Sequence, residues 1–311
     1  MTAVASWRRL VTKNNIPLGV SLLLAATLSW GGQFAVAKPM LAVIDPYYVT
    51  LIRYTIASAI FMIMLLVVEG KSAFKFEGRF RELFFLGTVG FAGFNLFSLN
   101  GLTHASAEHG AVILGLMPMI TVLMVWLLKG TRPNPFTFIA IVAAFLGVFL
   151  VITSGDPIHA FSGGEGEWDL MFLLGAVFWV YYTMGAQRFA DWTALRYTVI
   201  SCSLGTFSIG VITLFLTLNG TLDAPTIDSL HSFDLSFAYL IILGALVAVL
   251  SWNLGIKLLG AVNGVLFMNF VPITAFAIGV LQGHSFGWAE IVGACLVMGA
   301  LVANNLYLRS Q

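Results

Sequence analysis

The side chains able to contact a solute inside the apolar stretches of this chain are aromatic, amide or hydroxyl groups. Trp30 and Gln33 are three residues apart, so a helix puts both on one face, and Trp179 and Tyr182 repeat that spacing. Amides can replace the water around a polar solute while rings bury its apolar part. The pattern predicts a site for a neutral or zwitterionic solute, lined by Trp30, Gln33, Phe34, Phe94, Asn95, Trp179, Tyr182, Trp252 and Asn269.

Each of these side chains has a structural alternative. A buried Gln or Asn inside a membrane helix can simply bond a neighbouring helix, and a Trp can simply fill space between helices. The pairing of Trp30 in the first apolar segment with Trp179 in the sixth favours a cavity role for both. For Asn95 and Asn269 the two interpretations stay open.

Titratable groups are expected at segment ends and in loops. The chain has 14 acidic residues and 5 histidines, and Glu290, about one turn into the last apolar segment, is the acid expected to lie deepest. A carboxylate near the bilayer centre would be costly and would mark a function. The sequence therefore predicts no proton relay through buried carboxylates or imidazoles, no catalytic set, no metal site and no cofactor. Cys202 and Cys295 lie within apolar segments and indicate neither a disulfide framework nor a thiolate metal site.

The elements that hold these residues are predicted to be membrane-spanning helices. The chain has 311 residues, of which 59% are hydrophobic and 9% charged, whereas soluble domains have about 25% charged residues. A helical span needs about 20 apolar residues. Polar punctuation predicts ten such segments, an all-α polytopic membrane protein, at about residues 17–38, 46–68, 82–102, 107–128, 134–153, 169–189, 193–218, 236–257, 261–282 and 286–308.

The basic residues predict the orientation. With a cytoplasmic N-terminus, 13 of the 15 Lys and Arg residues fall on the inside, which agrees with the positive-inside rule. Both termini are then cytoplasmic, with a leader at residues 1–16, an outer loop at 154–168 and a tail at 309–311. Of the two remaining basic residues, Lys38 falls outside and Arg53 lies within the second segment. Both are expected to be gate or anchor residues; for Arg53, snorkelling or bonding of helix-end carbonyls is favoured over solute contact.

The two halves of the chain resemble each other. Gly110 precedes Pro118 by eight residues in an apolar run, and Gly264 precedes Pro272 in the same way. Five segments per half, over residues 17–153 and 169–308, predict two inverted repeats around a central cavity. Because each proline removes a helical hydrogen bond, these four residues are expected to shape the cavity or act as hinges.

These features resemble the drug/metabolite transporter superfamily, specifically its ten-span EamA-type members. The resemblance rests on the LSWGGQF stretch at Leu28–Phe34 followed by Lys38-Pro39, on Pro46 with Arg53-Tyr54, and on the Gly-x7-Pro pattern. It implies a fold of ten spans in which segments five and ten are peripheral. It also implies transport of small metabolites, with a similarity to inner-membrane exporters of amino acids, including aromatic ones.

Together the residues and the resemblance predict a transporter of the cell inner membrane. Its expected partners are a small-molecule solute and the lipid bilayer, with no nucleic acid; solute, direction, energy source and oligomeric state stay open. The alternative is a channel-like facilitator of another neutral or zwitterionic metabolite.

Overall fold

The computed structural model describes residues 15–156, 166–260 and 264–310, and within these ranges the chain forms helices and no strands. Its principal helices are α1 Ile16–Met40, α2 Pro46–Glu69, α3 Phe80–His104, α4 Ala107–Gly115, α5 Met117–Lys129, α6 Pro135–Thr153, α7 Gly166–Gly185, α8 Ala194–Leu218, α9 Asp234–Leu259, α10 Phe270–Leu281 and α11 Trp288–Ser310. Short 3₁₀ turns occur at Lys71–Phe74, Ala186–Phe189 and Leu266–Asn269, and a five-residue helix at Ile227–His231.

Side-chain caps explain where several helices begin. The carboxylate of Asp45 accepts from the backbone N–H of Tyr47 at 2.9 Å, and the amide oxygen of Asn134 accepts from Thr137 at 2.7 Å. Both caps are followed by a proline in the first helical turn, where its missing N–H costs nothing. The helices therefore start at the polar punctuation from which the segments were predicted.

Six described helices are long and apolar enough to cross a membrane. The pair α4 and α5 would make a seventh crossing that is bent by 44° at its break. Three shorter apolar helices lie at Pro135–Val151, Leu266–Leu281 and Trp288–Asn304. Counted together, these ten units follow the order of the ten predicted segments. The chain is thus a multi-pass membrane protein, and ten full crossings remain a prediction.

Two irregular features recur in the two halves. The third helix of each half contains a π-helical stretch, Thr88–Gly93 in α3 and Leu240–Val247 in α9. The fourth is irregular in both halves: it is broken between α4 and α5 in the first, and it begins with a 3₁₀ turn before α10 in the second. Such departures from α-helix occur frequently at functional sites. Their recurrence is what the internal duplication predicts, whereas the inversion of the halves remains a prediction.

Helices of the first half pack mainly against helices of the second half. Helix α1 packs on α9 and α10 of the second half, its counterpart α7 packs on α3 and α4, and α2 packs on α8. Helices α6 and α11 pair with each other, where an ideal Cβ on Gly147 would lie 2.7 Å from the Gly293 carbonyl oxygen. Only glycine allows that approach. The centre of the bundle is therefore built from α1 to α4 and α7 to α10.

Candidate solute-binding site

A buried guanidinium lies where α1, α2, α3 and α9 meet. Arg53 is 2% exposed, its Nη2 donates to Gln33 Oε1 at 3.1 Å, and its Nη1 donates to Asn95 Oδ1 at 3.4 Å. Among the described residues it forms no ion pair, and its Nε has no hydrogen-bond partner. The predicted snorkelling or carbonyl bonding is thus wrong, because the side chain turns into the bundle toward two amides. A buried cation paired only with neutral groups favours an anionic ligand.

Trp30 and this guanidinium both contact Gly244 of α9. Trp30 donates from Nε1 to the carbonyl oxygen of Gly244 at 3.0 Å. An ideal Cβ on Gly244 would lie 3.0 Å from Arg53 Nη2 and 3.6 Å from Gln33 Oε1. The predicted shared face of Trp30 and Gln33 is confirmed, since both side chains meet the π-helical stretch of α9 at one glycine. That glycine is where aromatic and charged surfaces adjoin.

The rings expected to line a cavity contact one another. The Trp30 ring lies 5.3 Å from that of Trp179 and 5.4 Å from that of Trp252, and Phe94 lies 5.2 Å from Trp179. Trp179 and Tyr182 share a face as predicted, with centroids 5.1 Å apart. All five rings are buried. Contacts between these rings therefore fill the space between the helices and leave no open passage among these described side chains.

The second half contributes a neutral polar network. Asn253 on α9 donates to the Tyr182 hydroxyl at 3.1 Å and to the Thr198 hydroxyl at 2.8 Å, and the Tyr197 hydroxyl donates to the Tyr182 carbonyl at 3.1 Å. Within the described ranges, Asn253 Oδ1 and Trp179 Nε1 have no hydrogen-bond partner although both are buried. One free acceptor and one free donor thus belong to residues that contact Tyr182, and both are available to a polar ligand. Asn253 is not among the predicted site residues, although it lies within an apolar segment as Asn95 and Asn269 do.

A cavity of about 350 Å³ opens next to this network. It lies at the end of the bundle that carries Arg79, Arg196 and Lys257, which we call the basic end. Its wall includes the buried residues Tyr197, Asn253 and Trp192 and the exposed residues Lys257 and Gly260. Because Asn253 belongs both to this wall and to the buried network, the cavity leads from the basic end toward the aromatic centre.

Lys38 contacts the end of the third helix. Its ammonium donates to the carbonyl oxygens of Leu102 at 2.7 Å and Ala105 at 2.8 Å, where α3 ends. Lys38 therefore links α1 to the C-terminus of α3, as an anchor does. Asn269 ends the 3₁₀ turn before α10, and its Oδ1 has no partner among the described residues.

The marked glycines and prolines lie at packing contacts. An ideal Cβ would lie 2.3 Å from the Phe172 ring at Gly110 and 2.4 Å from Ile256 at Gly264, so a larger residue at either position would displace that neighbour. Pro118 lies in the first turn of α5, just after the break. Pro272 follows the 3₁₀ turn by three residues. The bend expected near Pro118 is present, and a hinge role remains a prediction for all four residues.

One expectation about the acids is wrong. Asp169 is 1% exposed, Glu108 6% and His109 5%, so two acids and a histidine at helix ends are buried in the bundle, whereas the depth of Glu290 in the bilayer stays a prediction. Position along a helix does not measure burial: the first turns of α4 and α7 are covered by neighbouring helices. Buried carboxylates and an imidazole are therefore present, contrary to the expectation that a relay lacks its parts. The Glu108-His109 pair at the start of a glycine-rich helix was the available signal.

Comparison with known proteins identifies a transporter family in both halves of the chain. The chain matches the EamA-like transporter family over residues 17–153 and again over residues 166–306. It is 36% identical over 303 residues to the uncharacterized transporter YrdR of Bacillus subtilis (strain 168), spanning 96% of this chain and 94% of that protein. The uncharacterized inner membrane transporter YicL of Salmonella typhimurium is 24% identical, spanning 94% and 96% respectively. A crystal structure at 20% identity superposes with a TM-score of 0.66 over 94% of this chain and 98% of that chain, and shows a shared fold.

Proposed function

The chain belongs to the EamA-like transporter family and is a membrane transporter, and on that premise we propose that it exports neutral and aromatic amino acids by alternating access. The observation that carries this proposal is Arg53, a buried cation whose described partners are the amides of Gln33 and Asn95. A zwitterionic amino acid brings a carboxylate to that cation and carries no net charge into the bundle. The carboxylate of the solute would thus compensate the buried charge of Arg53, and the ammonium keeps the bound solute neutral overall.

Each part of an amino acid has a partner in the site. The planar guanidinium of Arg53 suits a carboxylate because its parallel N–H groups can bond both oxygens. An ammonium group against a desolvated tryptophan face gains up to about 2 kcal/mol. Apolar side chains would be buried among Trp30, Trp179 and Trp252.

Alternating access is supported by the recurrent irregularities of the two halves. Irregular fourth helices and π-helical third helices offer matching places at which either half can bend. The cavity at the basic end is the proposed cytoplasmic entrance, which ends at Asn253 below the ring contacts. In this scheme both termini are cytoplasmic and the protein resides in the inner membrane.

The proposal is tested by counterflow in proteoliposomes containing the purified protein. Vesicles loaded with unlabelled phenylalanine should accumulate radiolabelled phenylalanine transiently, a saturable exchange that a channel does not produce. Competition then separates the two charges. Phenethylamine, which lacks the carboxylate, should compete at least about tenfold more weakly than phenylalanine, because it leaves Arg53 unpaired. 3-Phenylpropionate, which lacks the ammonium, should keep part of its affinity.

Variants locate the effect. Arg53→Gln should abolish the preference for phenylalanine over phenethylamine. Arg53→Lys should lower the apparent affinity for phenylalanine, because a compact ammonium replaces the planar guanidinium that can bond both carboxylate oxygens. The control is Arg196→Gln, at the basic end, where the guanidinium is paired with Glu77 at 2.8 Å; it should keep the preference. Equal competition by amine and amino acid in the wild type, or no exchange of any amino acid tested, would refute the proposal.

A further inference from the structure

Five titratable side chains meet at the end of the bundle opposite the basic one. Glu108 and His109 begin α4, Asp169 lies in the first turn of α7, Glu290 in that of α11, and His284 precedes α11. His109 Nδ1 lies 3.4 Å from Asp169 Oδ2, and His109 Nε2 lies 3.9 Å from Glu290 Oε1. His284 Nδ1 lies 3.1 Å from Glu108 Oε1. One imidazole therefore bridges carboxylates of two other helices.

The centre of this cluster is removed from solvent. The Asp169 side chain is 0% exposed and that of His109 6%. Within the described part of the chain, Asp169 Oδ1 has no hydrogen-bond partner. An ionised carboxylate buried with an oxygen left unpaired is costly unless a positive charge or a proton compensates it. The geometry thus points to a proton as the missing ligand.

We propose that His109 and Asp169 form a proton-binding site that closes this end of the transporter when His109 is protonated. The proton passes from water to a ring nitrogen of His109, and the imidazolium then pairs with Asp169 on α7 and with Glu290 on α11. One proton thereby ties α4 to two neighbouring helices. Loss of the proton leaves ionised carboxylates against a neutral ring, and they are then stabilised by water, which enters as the end opens.

Other charged groups at this end frame the site. The titratable groups on elements packed against α4 at this end are Lys38, His104, Asp156, Asp169, His284 and Glu290. The His104 ring stacks on that of Trp168 at 3.8 Å. The side chain of His284 is 54% exposed and contacts Glu108, which lies beside His109. His284 therefore pairs a half-exposed imidazole with Glu108 at the start of α4, in a second contact at the same end of the bundle.

The pair also lies close to the aromatic centre. Phe172 follows Asp169 by one helical turn, and an ideal Cβ on Gly110 of α4 would lie 2.3 Å from the Phe172 ring. The Phe172 ring in turn lies 5.4 Å from that of Phe34, the neighbour of Gln33. Separation of α4 from α7 would release this contact next to the proposed carboxylate site. The inference extends the transport function but does not depend on which solute is carried.

Thiol accessibility tests the site without any solute. In a background with Cys202→Ser and Cys295→Ser, Ala105→Cys places a reporter in the turn between α3 and α4, where Ala105 is 0% exposed. Thr221→Cys, at an exposed loop residue, is the reference that corrects for the pH dependence of thiol reactivity. The rate of labelling by an impermeant maleimide is measured in reconstituted protein as the ratio of reporter to reference. Raising the pH from about 5.5 to about 8 should increase that ratio roughly tenfold.

Matched variants identify the groups responsible. His109→Gln should label rapidly at both pH values, and Asp169→Asn should reduce the pH effect to less than about twofold. Two variants are used so that a folding defect in either leaves the other decisive. Asp234→Asn is the control: it removes the carboxylate of an exposed pair with His231, at 3.3 Å, and should keep the full effect. A ratio independent of pH in the parent protein, or an undiminished effect in both buried-site variants, would overturn the proposal.

Discussion

Gly115, the last residue of α4, lies against Pro272 of α10. An ideal Cβ on Gly115 would be 3.5 Å from Pro272 Cγ, an ordinary van der Waals contact. The break in the fourth helix of one half therefore meets the proline of the corresponding helix in the other half. Because Pro118 lies just past the same break, the two irregular helices face each other where each has lost backbone hydrogen bonds.

We expect Pro118→Ala and Pro272→Ala to express near normally and to slow transport. Alanine supplies the missing N–H and restores helix continuity, which restricts bending at the contact between the halves. The measurement is the initial rate of counterflow at equal amounts of reconstituted protein. Gly115→Ala is the control, because its new methyl group fits against Pro272 without displacement. Wild-type transport rates in both proline variants would show that bending at these prolines is not needed for transport.

Spacing in the sequence was sufficient for part of the candidate site. Residues three apart on a helix must share a face, so Trp30 with Gln33 and Trp179 with Tyr182 were correctly grouped. The duplication predicted an irregular fourth helix in each half, because Pro118 and Pro272 mark that helix. The π-helical stretches could not be predicted, since Thr88–Gly93 and Leu240–Val247 are ordinary apolar sequence.

Burial within the bundle was the information that the sequence lacked. Arg53 and Asp169 lie near helix ends, and a count along the chain assigns such residues to the interface. The structure turns both inward because neighbouring helices cover those turns. Which helix covers which depends on packing between the halves, a long-range property that no local pattern encodes. The closure of the tryptophan rings over the site is unpredictable for the same reason.

The orientation predicts which sites an impermeant thiol reagent reaches from outside intact cells. Cysteines that replace residues of the basic end should be protected: Lys75, Thr131 and Ser310. Cysteines in the predicted outer loops should react: Ser162, which lies outside the described residues, and Thr226, which is exposed. Both native cysteines are first replaced by serine. Labelling at position 75 from outside would contradict the orientation and the inversion of the halves that depends on it.

Glu77 at the basic end predicts how stability depends on pH. The hydrogen bond from Arg196, and then that from Trp192, hold the pKa of its carboxyl below the ordinary glutamate value. A folded-state pKa lower than the unfolded one stabilises the fold above the unfolded pKa, about 4.3, and this contribution is lost as the pH falls through the folded value. Glu77→Gln should therefore lower Tm at pH 7, and the difference from wild type should vanish in acid.

Substitutions of the rings and of the amide should affect different solutes. Trp30→Ala and Trp179→Ala remove ring surface that would bury a bulky side chain. Each should therefore lower the apparent affinity for phenylalanine more than that for alanine or threonine. Gln33→Ala should weaken all of them alike, because Gln33 bonds Arg53, the proposed partner of the common carboxylate. Since the Trp30 and Trp179 rings are packed 5.3 Å apart, their loss also leaves a void that typically costs about 3–5 kcal/mol of stability.

Trp30→Phe separates packing from selection. Phenylalanine keeps a ring against Trp179 and Trp252 but loses the hydrogen bond from Nε1 to the Gly244 carbonyl. If the ring face selects the solute, Trp30→Phe should retain most of the preference for phenylalanine over alanine, while Trp30→Ala abolishes it. The measurement is the apparent affinity for both solutes in counterflow, taken only from variants whose Tm permits assay at that temperature. Equal losses for both solutes in the alanine variants would mean that these rings hold the bundle together and do not discriminate between its solutes.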